Sequence, residues 1–554
     1  MKSGLSRRPH GRAARVAIAV GSLAVSVGAH ALPYTSENRD VLTPNTGTWS
    51  AAGVSLGGTT FVNLGLQGVG RIAASAKDPA TGESLGSISD MQVSSFARKT
   101  DGSYSGTFNF LPDRGYNAGA IFSNYAARIN TVDFTFTPYT SSATTTLQNQ
   151  IAMTFAGSTR FTYDNDGNPA TAPVYTTGLL ATGPATTLFG TTVPVAGVAT
   201  TQSDGTVANR LTLDAEGLIL DPRPGKQGSG WVGDEYGAYV YHFNGAKQID
   251  GVLKLPDALV PHSPAGTIDF NADPPANGRR VNQGMEGIAL SPDGKTLFAL
   301  LQSATIQDSG SGNQGRSNAR LLVYDVRATD TPTDPVKQYV IQLPLIDDNG
   351  GTPAVNRTGA QSSIIALNDH QLLILSRDGN GRGSTGSPVF KSILLADLSN
   401  ATNIDGLFDA EGNAVAPGGV LNASVKPISW TEALNMLGKL DLSITELAQF
   451  GLNLNTAPGD INTLSEKWEA LALVSALDPS APNEYFLFIG NDNDFLTGTG
   501  RYLDANGALQ SYNAGLENDT MVLAFRVQVV PEPASLALLG VGLFGLALRR
   551  RRRT

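Results

Sequence analysis

Glu286-Gly-Ile-Ala-Leu290-Ser-Pro-Asp-Gly-Lys295-Thr-Leu-Phe-Ala-Leu-Leu-Gln302 is the stretch that decides the fold. Two apolar runs of strand length flank Ser291-Pro-Asp-Gly-Lys295, where proline presets one turn dihedral and glycine accepts a positive one. Short, continuous aliphatic runs of this kind suit strands covered on both faces. An acid opens the first strand, and the polar pair Gln302-Ser303 follows the second.

The unit recurs along the central half of the chain. One copy runs Glu216-Gly-Leu-Ile-Leu220, Gly230-Trp-Val-Gly-Asp-Glu235, Ala238 to Phe243 and Ile249 to Leu255. The copy at Glu286 continues through Arg320 to Asp325 and Tyr339 to Leu343. A third has Ser363-Ile-Ile-Ala-Leu367, Leu372 to Asp378 and Lys391 to Asp397. A fourth has Glu469-Ala-Leu-Ala-Leu473, Tyr485 to Asp492 and Met521 to Val527. Short strands repeated in this way predict an all-β chain, a β-propeller of about six or seven blades. A pair of β-sandwiches is the alternative architecture. The last copy lacks a strand, and Phe61 to Val69 is the segment expected to supply it and close the ring. Earlier strands are expected at Ser89 to Ala97, Gly106 to Leu111 and Asn130 to Thr137. Trp430 to Leu452, with Thr431 as a cap and Leu434 and Leu437 in an amphipathic pattern, predicts a short helical insertion.

Both ends carry targeting signals. Lys2, Arg7, Arg8, Arg12 and Arg15 precede the apolar run Val16 to Ala29 and the small-x-small site Ala29-His30-Ala31. Residues 1–31 therefore read as a signal peptide for a signal peptidase, with twin-arginine export through Arg7-Arg8 the weaker alternative. At the other end Pro531-Glu532-Pro533 leads into an apolar run, Ala534 to Leu548, and the cluster Arg549 to Arg553. As a C-terminal hydrophobic helix that run would reach about 22 Å, short for a bilayer core but extended by snorkelling arginines. The order of motif, apolar run and basic cluster resembles the PEP-CTERM sorting tail. The resemblance implies that an exosortase reads Pro531, Glu532 and Pro533, that the tail contacts the membrane, and that the exported protein resides in the envelope or on the cell surface. A simple retained anchor is the alternative. The expected plan is a signal at 1–31, a propeller at 32–527 and a sorting tail at 528–554.

Composition narrows the partners. The chain has no cysteine, so export adds no disulfide and the core holds by packing alone. The net charge is −9, and loss of the basic residues at both ends would take it to about −19. Such a surface repels nucleic acid and anionic lipid and attracts cations.

Geometry then locates the chemistry. Adjacent strands of a blade run antiparallel, so the start of the first lies beside the end of the second. Glu216 should face Asp234 and Glu235, and Glu286 should face Gln302 and Ser303. Arg377 and Asp378 end the third pair, while Asn491, Asp492, Asn493 and Asp494 lie opposite Glu469. Asp113 and Arg114 follow the strand Gly106 to Leu111 in the same position. Carboxylates gathered at one channel mouth repel unless protonated or bridged by a cation. Oxygen donors without cysteine and with few histidines suit Ca²⁺, or Mg²⁺, better than zinc. The competing reading makes each acid a turn former or a strand-end hydrogen-bond partner.

Leu213-Asp-Ala-Glu-Gly217, Trp231-Val-Gly-Asp-Glu-Tyr236, Gly284-Met-Glu-Gly287, Lys467-Trp-Glu469 and Gly490-Asn-Asp-Asn-Asp-Phe495 follow Asp113-Arg-Gly115 in order. Together they resemble the phytase-like family described as having esterase-like activity, over roughly residues 60 to 527. The resemblance implies a propeller-like domain and hydrolysis of a phosphoester substrate. Gln302 and Ser376 stand where Glu is expected, Ala470 where Gly is expected, and Ser363 interrupts the recurring Glu, so the acidic ring has gaps. A cation would neutralise phosphate oxygens that an acidic protein alone repels. Glu216, Asp234, Glu235, Glu286 and Glu469 are the candidate catalytic groups. Asp113, Asp214, Glu216, Asp234, Glu286, Asp378, Asp492 and Asp494 are the candidate metal ligands. Arg114 and Arg377 are candidate phosphate clamps, or else braces for neighbouring carboxylates. The gaps favour a second expectation, a non-catalytic extracellular propeller that binds a polymer or protein partner and holds structural metal.

Three further motifs carry less. Gly82-Glu-Ser84-Leu-Gly86 has the spacing of a serine-hydrolase elbow but sits in a polar stretch, so a loop is expected. Gly381-Arg-Gly383-Ser-Thr-Gly386 leads to no helix and reads as a loop. Asp164-Asn-Asp166-Gly-Asn168 lacks the spacing and closing Glu of a calcium loop and reads as a hairpin turn.

Overall fold

The computed structural model describes residues 53–531 apart from 165–171, 185, 202–206, 349–354, 439–445 and 455–459. Met285–Leu290 and Thr296–Leu301 form the expected hairpin, and Asn318–Asp325 and Lys337–Gln342 extend it into a four-stranded antiparallel blade. Its turn is tied by the Ser291 hydroxyl, which accepts from the backbone N–H of Thr296 at 3.0 Å, and Gly294 takes φ 72° there.

Four more sheets repeat this plan. The first blade holds Asp90–Arg98, Tyr104–Leu111, Arg128–Phe136 and Ile151–Arg160. The second holds Ala215–Leu220, Gly230–Asp234, Val240–Phe243 and Gln248–Leu253, with Thr162–Tyr163 and Val174–Tyr175 added at its outer edge. The blade at Met285 is the third. The fourth holds Ala360–Ala366, Gln371–Arg377, Lys391–Asp397 and Ser429–Asn435. The fifth holds Lys467–Ser475, Glu484–Asp492, Thr520–Pro531, Thr59–Ile72 and Val54–Leu56.

The innermost strands lie against one another in a closed circuit, from the first blade through the second, third, fourth and fifth and back to the first. The fold is therefore a five-bladed propeller, which corrects the expected six or seven blades and removes the sandwich alternative. The wide intervals between repeats hold connecting loops, such as 254–284, rather than additional blades.

Apolar faces of neighbouring blades fill the gaps between them. Phe108, Phe134 and Phe136 of the first blade meet Phe486 and Phe488 of the fifth edge-on, with centroids 4.9–5.8 Å apart. Each such buried ring contributes about 1.5–3 kcal/mol relative to exposure. Thr59–Ile72 pairs with Thr520–Pro531 through eleven residue pairs, so segments distant in the chain close the ring, as expected for Phe61 to Val69. Thr520 sits beside Asn493 near the end of Glu484–Asp492, whereas Gln528 pairs with Glu484 at its start. Eleven residue steps at about 3.3 Å carry Pro531 roughly 36 Å along the strand from Thr520.

Trp430 to Leu452 departs from the expected helix. Ser429–Asn435 is the outer strand of the fourth blade, and only Glu446–Gln449 is helical. Leu434 and Leu437 mimic a helical spacing, yet both are buried in the core between the fourth and fifth blades. Pro531 ends the closing strand; Glu532, Pro533, the apolar run Ala534 to Leu548 and residues 1–31 lie outside the described residues. Among the described residues no helix is long and apolar enough to cross a membrane.

Candidate functional site

A shared irregularity turns the acids toward the channel. In four innermost strands the register slips near the start, between Ala215 and Leu218, Met285 and Gly287, Gln361 and Ser363, and Trp468 and Ala470. The residues in those gaps include Glu216, Glu286, Ser362 and Glu469. A bulge adds a residue to one strand and re-aims its side chain. Ser362, not Ser363, thus holds the position of the missing glutamate. Gly284 lets the second and third blades approach, because a Cβ there would lie 2.5 Å from the Glu235 carbonyl oxygen.

Two sets of carboxylates result, and oxygens within each set lie within 4.8 Å of one another. One set is Asp214, Glu216 and Glu235; the other is Glu216, Glu286 and Glu469, from three different blades. All five residues are buried, Glu286 to 1% exposure and Glu235 to 2%. Asp214 Oδ1, Glu235 Oε1 and Glu286 Oε2 have no hydrogen-bond partner. Burial, then repulsion from neighbouring acids, pushes Glu216 and Glu286 well above the ordinary carboxylate range. Burial and Asp214 raise Glu235 to about 8. Glu469 rises to about 7, because burial outweighs the Arg377 and Lys467 charges that oppose it.

A third set, Asp113, Asp492 and Asp494, has its own cation. Lys467 Nζ lies 3.0 Å from Asp492 Oδ2 and 2.6 Å from Asp494 Oδ1. Burial alone would raise Asp492, but Lys467 and the Asp494 backbone N–H hold it below its ordinary value. Asp113 stays well above its own, through burial and then the Asp492 charge.

The remaining predicted residues are engaged with partners inside the protein. Asp234 accepts the backbone N–H groups of Asp214, Tyr236 and Gly237 at 2.7–3.2 Å, which makes it an organiser of the turn that carries Glu235. Asp378 is paired with the buried Lys391 at 2.7 Å and accepts the N–H groups of Val389 and Phe390, so it joins none of the three sets. Arg114 pairs with Asp214 at 2.7 Å, and Arg377 pairs with Glu469 while donating to Ser362 Oγ at 3.1 Å. Both arginines brace carboxylates. Ser84 Oγ accepts the Arg501 N–H and meets the Tyr512 hydroxyl inside a loop contact. Asp164 begins a segment whose remaining residues, 165–168, lie outside the described residues.

Sequence reasoning missed three groups. Asp90 opens the innermost strand of the first blade, accepts from Leu218 N–H at 2.7 Å and Ser363 Oγ at 3.2 Å, and is raised by burial to about 8. An acid at the start of an innermost strand was the available signal. Glu466 is raised to about 8 by burial and then by Asp494. The clamping role of Lys467 had no local signal, since its partners are 25 and 27 residues away.

A family model described as "Esterase-like activity of phytase" matches residues 86–495, and one for the PEP-CTERM protein-sorting motif matches residues 529–552. A protein of Arthroderma benhamiae described as an uncharacterized secreted protein is 32% identical over 483 residues, which cover 80% of this chain and 89% of that protein. Among solved structures, the PQQ-bound aldose sugar dehydrogenase of Streptomyces coelicolor is 10% identical, covers 86% of this chain and 100% of its own, and has a TM-score of 0.25. The periplasmic gluconolactonase of Pseudomonas aeruginosa is 12% identical, with 84% and 99% covered and a TM-score of 0.24. Likenesses at these TM-scores carry no argument about function.

Proposed function

The chain belongs to the phytase-like family and carries the PEP-CTERM motif, and from that premise we propose an exported, envelope-sorted hydrolase of phosphoric esters that works with a divalent cation. The observation that carries this reading is the convergence of Glu216, Glu286 and Glu469 from three blades, beside buried oxygens of Asp214, Glu235 and Glu286 that nothing in the protein satisfies. A buried carboxylate without a partner is costly, and a cation removes the cost. The donors are all carboxylate oxygens, which fits Ca²⁺ and disfavours zinc. Asp214, Glu216, Glu235, Glu286 and Glu469 would hold the ion, which when bound supplies positive charge to an anionic substrate and acidifies water.

The protein's own groups complete the site. Arg114 and Arg377 fix Asp214 and Glu469 in place and keep further N–H donors near the mouth. Without a cation Glu235 and Glu469 are raised to about 8 and about 7, so a cation that they hold would displace protons near neutrality. Hydrolysis of p-nitrophenyl phosphate and bis(p-nitrophenyl) phosphate by the full chain, with CaCl₂ or with EGTA, tests the reading. Activity should depend on Ca²⁺ and fall at least about 100-fold in Glu286→Gln. Full activity in EGTA overturns it.

The engagement of both arginines favours a second reading, a non-catalytic propeller that binds a polymer or protein partner around structural metal. Its signature is Ca²⁺ binding without turnover of either ester. For sorting, signal peptidase would act at Ala31 and an exosortase at Pro531-Glu532-Pro533. Pro531 lies at the strand end remote from the mouth, which supports a mouth directed away from the membrane-side tail.

A further inference from the structure

Glu216 belongs to both central carboxylate sets, one with Asp214 and Glu235, the other with Glu286 and Glu469. We propose that the mouth holds two divalent cations side by side, with Glu216 bridging them. This rests on the cation-dependent reading above and states how many ions that site takes. Oxygens within 4.8 Å of one another can surround a single ion whose oxygen distances are about 2.3–2.6 Å. A carboxylate has two oxygens, and a shared carboxylate suits ions about 3.5–4 Å apart. Among the described residues no side-chain hydrogen bond ends on the Glu216 carboxyl; its surroundings are the charges of Glu286, Asp214, Glu235 and Glu469.

Unpartnered buried oxygens occur on both sides of Glu216. Asp214 Oδ1 and Glu235 Oε1 belong to one set, and Glu286 Oε2 belongs to the other. Charge leads to the same count. Five carboxylates meet there, and Arg114 and Arg377 compensate Asp214 and Glu469. A single divalent ion leaves the site negative, which repels a phosphoric ester; a pair leaves it with one positive charge, which attracts the ester. The Asp113, Asp492 and Asp494 set receives no ion in this scheme. Lys467 already pairs with Asp492 and Asp494, and none of the set's fully buried carboxylate oxygens is without a partner.

Calorimetric titration of CaCl₂ into the chelator-stripped full chain tests the count. Two Ca²⁺ per chain are expected, and Glu216→Gln should weaken both at least tenfold. Asp214→Asn and Glu469→Gln should each lose one ion and keep the other. Loading with Mn²⁺ should give the spin-coupled paramagnetic resonance spectrum of a neighbouring pair, a readout that requires no variant. One ion per wild-type chain, or two uncoupled Mn²⁺ signals, overturns the pair. If hydrolysis of the test esters still depends on Ca²⁺ in that case, the hydrolase reading stands alone; hydrolysis in EGTA with no ion bound removes both.

Discussion

The mouth contains two kinds of acidic cluster. Asp113, Asp492 and Asp494 gather around Lys467, and every oxygen they bury finds a partner. Asp214, Glu216, Glu235, Glu286 and Glu469 have two arginines among them, and Asp214 Oδ1, Glu235 Oε1 and Glu286 Oε2 stay buried without a partner. Both clusters bring acids together, yet the first is tied to a lysine and opens to solvent at Asp494, whereas the second keeps buried oxygens without a partner. Acidic residues alone do not define a site; an uncompensated charge does. Breaking an internal pair should therefore turn the first cluster into the second, and removing an acid should turn the second into the first.

Lys467→Met breaks the comparison most strongly. It strands buried carboxylates and should destabilise the protein by about 3–5 kcal/mol in EGTA, with CaCl₂ recovering part of the loss. Urea unfolding with and without Ca²⁺ measures both effects.

The pH dependence of the uncompensated cluster comes next. Glu235 and Glu469 titrate at about 8 and about 7 in the fold against 4.5 ordinarily. The folded state binds their protons more tightly, so stability is fullest below about pH 4.5 and is lost as pH rises toward 8. Across that window the fall in EGTA should be roughly 3 kcal/mol or more at about 1.4 kcal/mol per unit, and saturating Ca²⁺ should flatten it. A stability curve in EGTA that rises over the same window contradicts the assignment.

Glu286→Gln sharpens the comparison from the other side. Without metal and at alkaline pH, where the raised Glu286 carboxyl is forced to ionise, the variant should be more stable by about 1–3 kcal/mol, while Ca²⁺ affinity falls. Thermal melts in EGTA and in CaCl₂ read the two changes with opposite signs. The smallest effect belongs to Asp494→Asn. It removes one of two Lys467 contacts at a quarter-exposed side chain, for about 1 kcal/mol, and leaves Ca²⁺ stoichiometry unchanged.

The same innermost strands show the contrast along their length. Toward their far ends, Leu220, Leu290, Ala366 and Leu473 line a cavity of about 200 Å³. That end follows the ordinary rule of apolar burial, and it was legible as aliphatic runs such as Glu286-Gly-Ile-Ala-Leu290. The mouth end breaks the rule, and the acids opening the runs at Glu216, Glu286 and Glu469 marked it. Asp234 and Asp378 misled for a shared reason: carboxylates at strand ends also serve as turn acceptors and ion-pair partners, and the choice between roles depends on which N–H groups and lysines fold against them.

What the sequence determined by itself was local: the strands, the hairpin turn at Ser291 to Lys295, the acids at strand starts, and the targeting motifs at both ends. Apolar run length and turn chemistry act over a few residues, and a single chain displays them directly. Tertiary structure alone decided the blade number, the bulge that sets Ser362 rather than Ser363 opposite the glutamates, and the choice of Lys467 as the cation of one cluster. Each depends on the packing of segments far apart in the chain, and charge compensation is a property of a place in space, not of a stretch of sequence.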